Sequence, residues 1–559
     1  MSEPKAAIRT VVPPTALPGG LAAAVAAGLV TAGDAVAARM LVDLARREVA
    51  IDPEPLAWLA LCLALRSPRD GHTCVDFDRI ADWIGVEERP PSRSPAWSED
   101  PGAWIAALES AGPLVGMPGE RRPFVLDGRR LYLARSHAEE CRIADHLGRA
   151  GTRRVRVLLG GPGTGKTTQV AKQLIERFAA DQVPRIALAA PTGKAAARMT
   201  EALRRRCRDE RASDRVVAAI EAAPAVTVHT LLGYGPFRTP RFTVGPNNPL
   251  AYDLVVVDES SMLSSSLMAR LLDALASDTE LLLVGDPHQL ASVDAGSVLA
   301  DVAAAAARAG TGLAERTTTL VERHRFGAEI GRLADAILAG DAAAAVAALE
   351  AGGSIRWLEP LRHGIDLVTT EAVAHGRALA AAARQGDAER ALEVQRAFQI
   401  LCGHRDGPLG AAGWNARVET GLGHVDDAWY PGRPLMVTRN ERGLELFNGD
   451  TGLVMPVDDG RWVAAFGQPG AVVRVPVARL ETVYTVHAMT IHKSQGSEYG
   501  HAVVVLPDDP RSRLLTRELL YTGVTRAVER VTLVASREAV VAAVERPIRR
   551  ASGLAERLA

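Results

Sequence analysis

Apolar and polar positions follow two different periods along this chain, and the change of period predicts its organisation. Up to about residue 150, Ala-rich amphipathic stretches around 21–48 and 54–66 predict a helical region, broken by a Pro-rich segment at 89–95. From residue 155 onward, short continuous apolar runs alternate with helical patterns. Such runs are typical of parallel strands that are buried on both faces, so the pattern predicts a doubly wound α/β core.

The apolar runs fall into two groups, which predict two α/β units. The runs of the first group are 155–159, 186–190, 254–257 and 281–284, and those of the second are 398–401, 501–506 and 531–534. Within the second group, residues 443–481 alternate in short runs between turn sequences, which predicts a small β-barrel insertion. We therefore expect a helical N-terminal domain at 1–150 and two α/β domains at 151–345 and 346–559.

Composition narrows the class of protein. A chain of 559 residues is too long for one core, so about three or four domains are expected. Five scattered cysteines without a C-x-x-C pair argue against zinc, iron–sulfur clusters and disulfides, and favour a reducing cytoplasm. Residues 1–14 lack the apolar core of a signal peptide, and no run is long enough to span a membrane. The net charge of −1 neither predicts nor excludes a nucleic-acid partner.

A glycine-rich loop between the first strand and a helical pattern carries the clearest chemistry. The sequence GGPGTGKTT fits G-x-x-x-x-G-K-[ST], whose backbone N–H groups converge on phosphates at a helix N-terminus. Lys166 is expected to reach the β- and γ-phosphates of ATP, and the Thr167 hydroxyl to ligate Mg²⁺. The expected nucleotide-binding residues are Gly160, Gly161, Pro162, Gly163, Thr164, Gly165, Lys166, Thr167 and Thr168.

The ends of the next strands supply groups that complete an NTPase. Asp258 and Glu259 end an apolar run, where Asp258 is expected to hold Mg²⁺ and Glu259 to polarise the attacking water. Gln289, after the following run, is expected to sense the γ-phosphate. Hydrolysis between two lobes also needs cations for the transition state, and Arg325 and Arg526 are the candidates.

Eight motifs in order resemble those of superfamily 1 helicases, and flanking signatures at 65–78, 126–140, 400–415 and 432–452 resemble the RecD family. The eight motifs are GGPGTGKTT, APTGKAAARM, TVHTLLG, VVVDESSM, VGDPHQL, RHRF, TIHKSQGSE and LYTGVTRA. The resemblance implies ATP hydrolysis coupled to 5′→3′ translocation on single-stranded DNA, in a heterotrimer with RecB-like and RecC-like subunits that acts on duplex DNA ends. It also implies a partner-binding N-terminal domain and an SH3-like insertion. No carboxylate-and-lysine nuclease constellation is evident, so DNA cleavage is expected from a partner.

The same resemblance assigns further residues. It implies that Gln495, Gly496 and Glu498 approach the nucleotide, and that Arg325 and Arg526 reach the γ-phosphate. It also implies contacts with the single-strand backbone from Thr192, Lys194, His229, Thr230, Thr490, His492 and Lys493. Three of these motifs contain a lysine, Lys166, Lys194 or Lys493, in a chain that has only five lysines and uses Arg elsewhere.

One departure from the family pattern concerns recognition of the adenine base of the nucleotide. Family members place a Q-x-x-A helix before the P-loop strand, where the Gln reads adenine, but residues 134–155 contain no Gln. We therefore expect weakened discrimination of adenine. Two alternatives to a RecBCD-type motor subunit stay open, namely a stand-alone RecD-like helicase and an assembly subunit with a vestigial NTPase.

Overall fold

The fold consists of three sheet-containing regions and an inserted antiparallel sheet, seen here in a computed structural model. The structure describes residue 17 and the ranges 21–83, 97–148, 155–178, 185–210, 212, 214–235, 242–308, 310, 312–322, 327–360, 362–425, 427–444, 446–457, 460–468 and 471–559. In the described part of the chain, no helix has the length and apolar character needed to cross a membrane.

The N-terminal region combines helices with a small sheet. Its helices are α1 (Leu21–Ala26), α2 (Ala32–Ala45), α3 (Pro55–Arg66), α4 (Pro101–Glu109) and α5 (Ala134–Gly148). Its strands are β1 (Cys74–Asp76), β2 (Val115–Gly116), β3 (Phe124–Asp127) and β4 (Arg130–Leu133), in the order β1-β4-β3-β2. The helices agree with the sequence pattern, whereas the sheet was not predicted. Trp58, Phe77 and Trp104 are buried in the core of this region.

The first of the two α/β lobes is a six-stranded parallel sheet flanked by helices. Its elements are β5 (Val155–Gly160), α6 (Lys166–Phe178), β6 (Ile186–Ala190), α7 (Gly193–Asp209), α8 (Asp214–Ala222), β7 (Ala225–Thr227), α9 (Val228–Leu231), β8 (Leu254–Val257), α10 (Ser265–Asp273), β9 (Glu280–Gly285), α11 (Val298–Ala306) and β10 (Thr317–Leu320). The strand order is β10-β5-β9-β8-β6-β7, and every pair is parallel. The carboxyl ends of β5, β9 and β8 are therefore neighbours at one edge, where ligands of such sheets bind.

The second lobe has a five-stranded parallel sheet in the order β11-β20-β19-β12-β18. Its strands are β11 (Ile355–Leu358), β12 (Phe398–Cys402), β18 (Ala488–Thr490), β19 (Tyr499–Val505) and β20 (Ala527–Val534), and its helices are α12 (Ala328–Ala339), α13 (Ala342–Glu350), α14 (Arg362–Arg384), α15 (Ala388–Ala397), α16 (Ala411–Leu422), α17 (Arg517–Val524) and α18 (Arg537–Glu545). The last helix, α19 (Leu554–Arg557), packs instead on α5 and α11. The two parallel sheets confirm the predicted α/β class. The short apolar runs fall on strands because their Val, Ile and Leu side chains are buried on both faces.

An antiparallel sheet is inserted between β12 and β18. Its strands are β13 (Pro434–Val437), β14 (Thr451–Pro456), β15 (Trp462–Gln468), β16 (Ala471–Pro476) and β17 (Val483–Thr485), in the order β16-β15-β14-β13-β17. The sheet is therefore wider than the predicted insertion at 443–481, because β13 and β17 pair outside those limits. The turn between β13 and β14 contacts the first lobe, as described below.

Candidate functional site: a nucleotide site between two lobes

The P-loop connects β5 to α6 and has the backbone shape of an anion cradle. Gly163 and Gly165 have φ values of 79° and 81°, which side-chain-bearing residues rarely adopt. The Thr164 hydroxyl donates to the Gly161 carbonyl at 2.9 Å and closes the turn. Lys166 Nζ donates to the carbonyls of Gly160 at 2.6 Å and Gly161 at 3.0 Å. The ammonium therefore lies at the mouth of the loop, where phosphates bind in this type of loop.

The acidic pair follows β8, two strands away from the P-loop strand in the sheet. Glu259 has a φ of 50° and is the one non-glycine residue with positive φ among the described residues. Backbone strain of this kind costs about 1–3 kcal/mol and is concentrated at functional sites. Burial and the Glu259 carboxylate raise the pKa of Asp258 to about 6, while the Lys166 ammonium lowers it. Asp258, Glu259 and Lys166 are thus electrostatically coupled in one site.

Gln289 follows β9, the strand between the two just described. Its Nε2 donates to Asp286 Oδ2 at 3.1 Å, and the side chain is buried. Its Oε1 is also buried and has no hydrogen-bond partner within the part of the chain that the structure describes. A buried acceptor without a partner costs about 1–3 kcal/mol. It is chemically suited to accept a hydrogen bond from a water molecule or another hydroxyl at the nucleotide edge.

The second lobe is hydrogen bonded to the loop after β9, which carries Gln289. Tyr521 Oη donates to Asp286 Oδ2 at 3.1 Å, and the Leu290 amide donates to Thr522 Oγ1 at 3.1 Å. Gln495 Nε2 donates to the Leu290 carbonyl at 2.9 Å. These bonds bring two motifs of the second lobe, 490–498 and 520–527, against the nucleotide edge of the first sheet.

Arg526 is the cation that the second lobe contributes. It is 3% exposed, and it donates to the carbonyls of Thr522 at 3.1 Å and Ser497 at 3.3 Å. Burial lowers the pKa of Arg526, and the carboxylates of Glu259 and Glu498 raise it. The guanidinium therefore interacts with Glu259 of the first lobe across the interface. The other predicted arginine, Arg325, lies outside the described residues.

The residues predicted to contact DNA lie in different environments. Thr192 is the N-cap of α7, where its hydroxyl accepts from the Ala195 amide at 3.2 Å. Lys194 is half-buried between the lobes, and its Nζ donates to the Gly449 carbonyl at 3.1 Å and to Ser497 Oγ at 2.9 Å. Burial lowers the pKa of Lys194 to about 8, and Asp450 raises it. Lys194 therefore bridges the first lobe to both the inserted sheet and the 490–498 motif.

The remaining predicted DNA contacts are more open. Thr230 is exposed beside His229, whose ring lies 5.5 Å from that of Tyr234. Lys493 is exposed and sits 4.3 Å from the centre of the Tyr484 ring. Thr490 precedes the short helical turn that carries His492 and Lys493. These side chains come from both lobes.

Comparison with known proteins assigns the family. The chain is 42% identical to the "RecBCD enzyme subunit RecD" of Mycolicibacterium smegmatis, covering 91% of this chain and 95% of the relative. It is 41% identical to the protein of the same name from Mycobacterium tuberculosis, over 89% and 91% of the two chains. The chain belongs to the RecD family.

Domain models agree with this membership of the RecD family. Residues 26–132 match the N-terminal domain of the RecBCD enzyme subunit RecD, residues 146–295 match an AAA domain, and residues 485–534 match a UvrD-like helicase C-terminal domain. The "ATP-dependent RecD2 DNA helicase" of Deinococcus radiodurans is 34% identical, over 70% of this chain and 48% of the relative. A Bacteroides Pif1 helicase crystallised with ADP-AlF3 and ssDNA is 16% identical, with a TM-score of 0.37, over 72% and 93% of the chains.

Two features of this RecD-family site were missed by sequence reasoning. Arg198 donates to Glu498 Oε1 at 2.9 Å across the lobes, so Glu498, predicted to approach the nucleotide, is ion-paired. The i,i+4 spacing from Lys194 places both cations on one face of α7 and could have drawn attention to Arg198. Arg550 contacts the loop that follows Gln289, and no local motif marks it.

Proposed function

We propose that this chain is an ATP-driven 5′→3′ translocase and helicase on single-stranded DNA, and the motor subunit of a cytoplasmic RecBCD-type helicase–nuclease. The observation that carries the proposal is that Tyr521 and Arg526 of the second lobe meet the nucleotide edge of the first, where Tyr521 donates to Asp286 and the Arg526 guanidinium interacts with the Glu259 carboxylate. A site divided between two lobes links hydrolysis to their relative movement, which is what a translocating motor requires. Membership of the RecD family supports the same reading.

We assign the hydrolytic roles as follows. Lys166 and Arg526, with Arg325, neutralise charge on the transferred phosphate, Glu259 polarises the attacking water, and Gln289 senses the γ-phosphate. The nucleotide lies along residues 160–168 and contacts Gln495, Gly496 and Glu498. A hydroxyl and a carboxylate are the hard oxygen donors that Mg²⁺ prefers, so Thr167 and Asp258 fit this ion and would hold it. When bound, the ion neutralises charge on the β- and γ-phosphates.

The DNA path, in this proposal, crosses the gap bordered by both lobes. Thr192, Lys194, His229 and Thr230 contact the single-strand backbone from the first lobe, and Thr490, His492 and Lys493 contact it from the second. Lys194 reaches DNA only after leaving Gly449 and Ser497, so DNA binding would open a bridge between the lobes.

The N-terminal region and the inserted sheet have separate roles in this proposal. The N-terminal region to about residue 150 docks onto a RecC-like subunit, and nuclease activity comes from a partner subunit. The antiparallel sheet at 434–485 acts as an SH3-like element that grips or separates strands. Its contact with Lys194 through Gly449 supports a role close to the DNA path.

The test compares the purified chain with its complex. ATP hydrolysis is measured with and without a single-stranded oligonucleotide, and unwinding is measured on duplexes that carry either a 5′ or a 3′ tail. We expect hydrolysis that depends on DNA, and unwinding from the 5′ tail when the RecB-like and RecC-like subunits are present. Efficient unwinding by the chain alone would favour a stand-alone helicase. Hydrolysis absent from both chain and complex would favour an assembly subunit.

A further inference from the structure

A segment that leaves the second lobe returns to the first. Residues 547–559, which we call the strap, follow α18 of the second lobe. Leu554 and Leu558 of the strap are nevertheless buried in the apolar core of the first lobe, where α19 packs on α5 and α11. The strap therefore connects all three regions of the molecule.

Arg550 of the strap holds the loop that follows Gln289. Its Nη1 donates to the carbonyls of Asp294 at 3.0 Å and Gly296 at 2.8 Å, and its Nη2 donates to the Ser292 carbonyl at 2.5 Å. Three carbonyls of one short loop thus share one guanidinium. The planar, rigid array of donors in Arg fixes geometry in a way that a lysine cannot.

The N-terminal region joins the same junction. The Ala551 amide donates to His72 Nδ1 at 2.9 Å, and the Thr73 amide donates to the Ala551 carbonyl at 3.0 Å. The Gly296 amide donates to the Gly71 carbonyl at 3.0 Å. Gly71 has a φ of 83°, and a Cβ there would come within 2.9 Å of the Arg550 guanidinium. This position therefore needs glycine for conformation and for space.

The loop at 291–296 connects Gln289 at the nucleotide edge with elements that carry residues predicted to contact DNA. Gln289 and Leu290 precede the loop, and the backbone of Leu290 is hydrogen bonded to Thr522 and Gln495 of the second lobe. At its other side, partial burial lowers the pKa of His229, and the Asp294 carboxylate raises it. Burial likewise lowers the pKa of His492, and the Arg550 guanidinium lowers it further. The Ser265 amide at the start of α10 donates to the Ala295 carbonyl at 3.0 Å, and α10 packs on α9, which carries His229, so the loop is joined to a residue predicted to contact DNA.

We propose that Arg550 is a positioning residue. It holds the 291–296 loop so that Gln289, at the nucleotide edge, responds to DNA bound near His229 and His492. This inference rests on the proposed function. It adds that the N-terminal region, through Gly71 and His72, is mechanically joined to the same loop. A conformational change in the N-terminal region upon partner binding would then reach Gln289 through this set of hydrogen bonds.

The first experiment measures the loop without using activity. Hydrogen exchange is followed by mass spectrometry on the full-length chain, wild type and Arg550→Gln. We expect peptides covering 286–299 to exchange about tenfold faster in the variant, because the carbonyls of Ser292, Asp294 and Gly296 would lose the guanidinium that fixes the loop, so that the amides of the loop would open more often. Arg557→Gln is the matched control, since Arg557 anchors the strap at Asp127 and over the Tyr132 ring, away from this loop. Equal acceleration in both variants, or none in Arg550→Gln, would overturn the proposal.

The second experiment asks whether Arg550 acts through Gln289. DNA-stimulated kcat and the KM for ATP are measured for Arg550→Gln, for Gln289→Ala and for the double variant. We expect Arg550→Gln to lower kcat about tenfold with a change in KM below about threefold, and to have little further effect when Gln289 is already Ala. Multiplicative losses in the double variant would overturn the proposal.

A more conservative variant covers the case in which Arg550→Gln fails to fold. Arg550→Lys keeps the charge but not the fork of donors, so its kcat should fall between those of wild type and Gln289→Ala. Full activity in this variant would contradict the role of the fork. A wild-type complex that shows no DNA-stimulated hydrolysis would instead refute the proposed function. The exchange experiment would still test whether Arg550 holds the 291–296 loop.

Discussion

The nucleotide edge and the proposed DNA-facing surface differ in what positions their residues. At the nucleotide edge, Lys166, Asp258 and Gln289 follow neighbouring parallel strands of one sheet, so the register of that sheet brings them together. On the DNA-facing surface, Lys194 and Lys493 come from different lobes, and their surroundings depend on how the lobes meet. Local sequence is therefore a good guide to the first site and a weaker guide to the second.

The two lysines illustrate the difference. Both are predicted to bind the phosphate backbone in the same way. Lys493 is exposed beside Tyr484, whereas Lys194 is half-buried and bonded to Gly449 and Ser497. Lys194 must leave two partners in the other lobe and the inserted sheet before it can bind phosphate, while the exposed Lys493 must leave one, the Tyr484 hydroxyl, to which its Nζ donates. The same residue type at a similar motif position can thus bind DNA with different net cost.

The largest expected effect comes from Lys166→Gln, which tests the nucleotide edge. Loss of one cation at the transferring phosphate should slow DNA-stimulated ATP hydrolysis by about 10³-fold or more. Steady-state hydrolysis with saturating oligonucleotide measures it, and circular dichroism of the same preparation checks that the fold is intact. Near-wild-type turnover in a folded variant would refute the assignment of the P-loop.

Glu259→Gln should separate binding from hydrolysis at the same edge. The variant keeps Asp258 and the backbone shape but removes the group that polarises water, so single-turnover hydrolysis should fall by about 10²–10⁴-fold. Binding of a fluorescent ATP analogue should stay close to that of wild type. If binding and hydrolysis fell together, Glu259 would have a structural role, consistent with its strained φ of 50°.

The pair Lys493→Ala and Lys194→Ala tests the DNA-facing surface. Removing one phosphate contact should lower the slope of log affinity against log salt by about 0.7 for single strands. We expect this full change for Lys493→Ala and a smaller one for Lys194→Ala, whose ammonium is half-buried and donates to two groups, Gly449 and Ser497, outside the first lobe. Fluorescence anisotropy with a labelled oligonucleotide across a salt series measures both. Equal changes would show that the bridge from Lys194 opens completely when DNA binds.

In the fold, as in the site, features set by local sequence were predicted correctly, whereas those set by distant contacts were missed. Buried runs such as 254–257 were assigned correctly because their pattern needs no knowledge of distant residues. The sheet of the N-terminal region was missed because β1 has three residues and β2 has two, too few to display a period. Arg198 and Arg550 were missed because their partners, Glu498 and the carbonyls of Ser292, Asp294 and Gly296, are hundreds of residues away. Such contacts are set by tertiary packing.

The smallest expected effect concerns recognition of the nucleotide base. The Q-x-x-A motif that would predict an adenine site is missing from this chain. Helix α5 ends at Gly148, β5 begins at Val155, and neither contains the Gln that reads adenine in related helicases. A site without that donor and acceptor pair loses discrimination of about 1–3 kcal/mol. We therefore expect kcat/KM for GTP to lie within about tenfold of that for ATP when DNA is present. Steady-state measurements with both nucleotides at matched DNA decide the point. A preference for ATP above about a hundredfold would mean that other groups near the P-loop strand have rebuilt the adenine pocket, since roughly 2.7 kcal/mol of selectivity requires hydrogen bonds to the base.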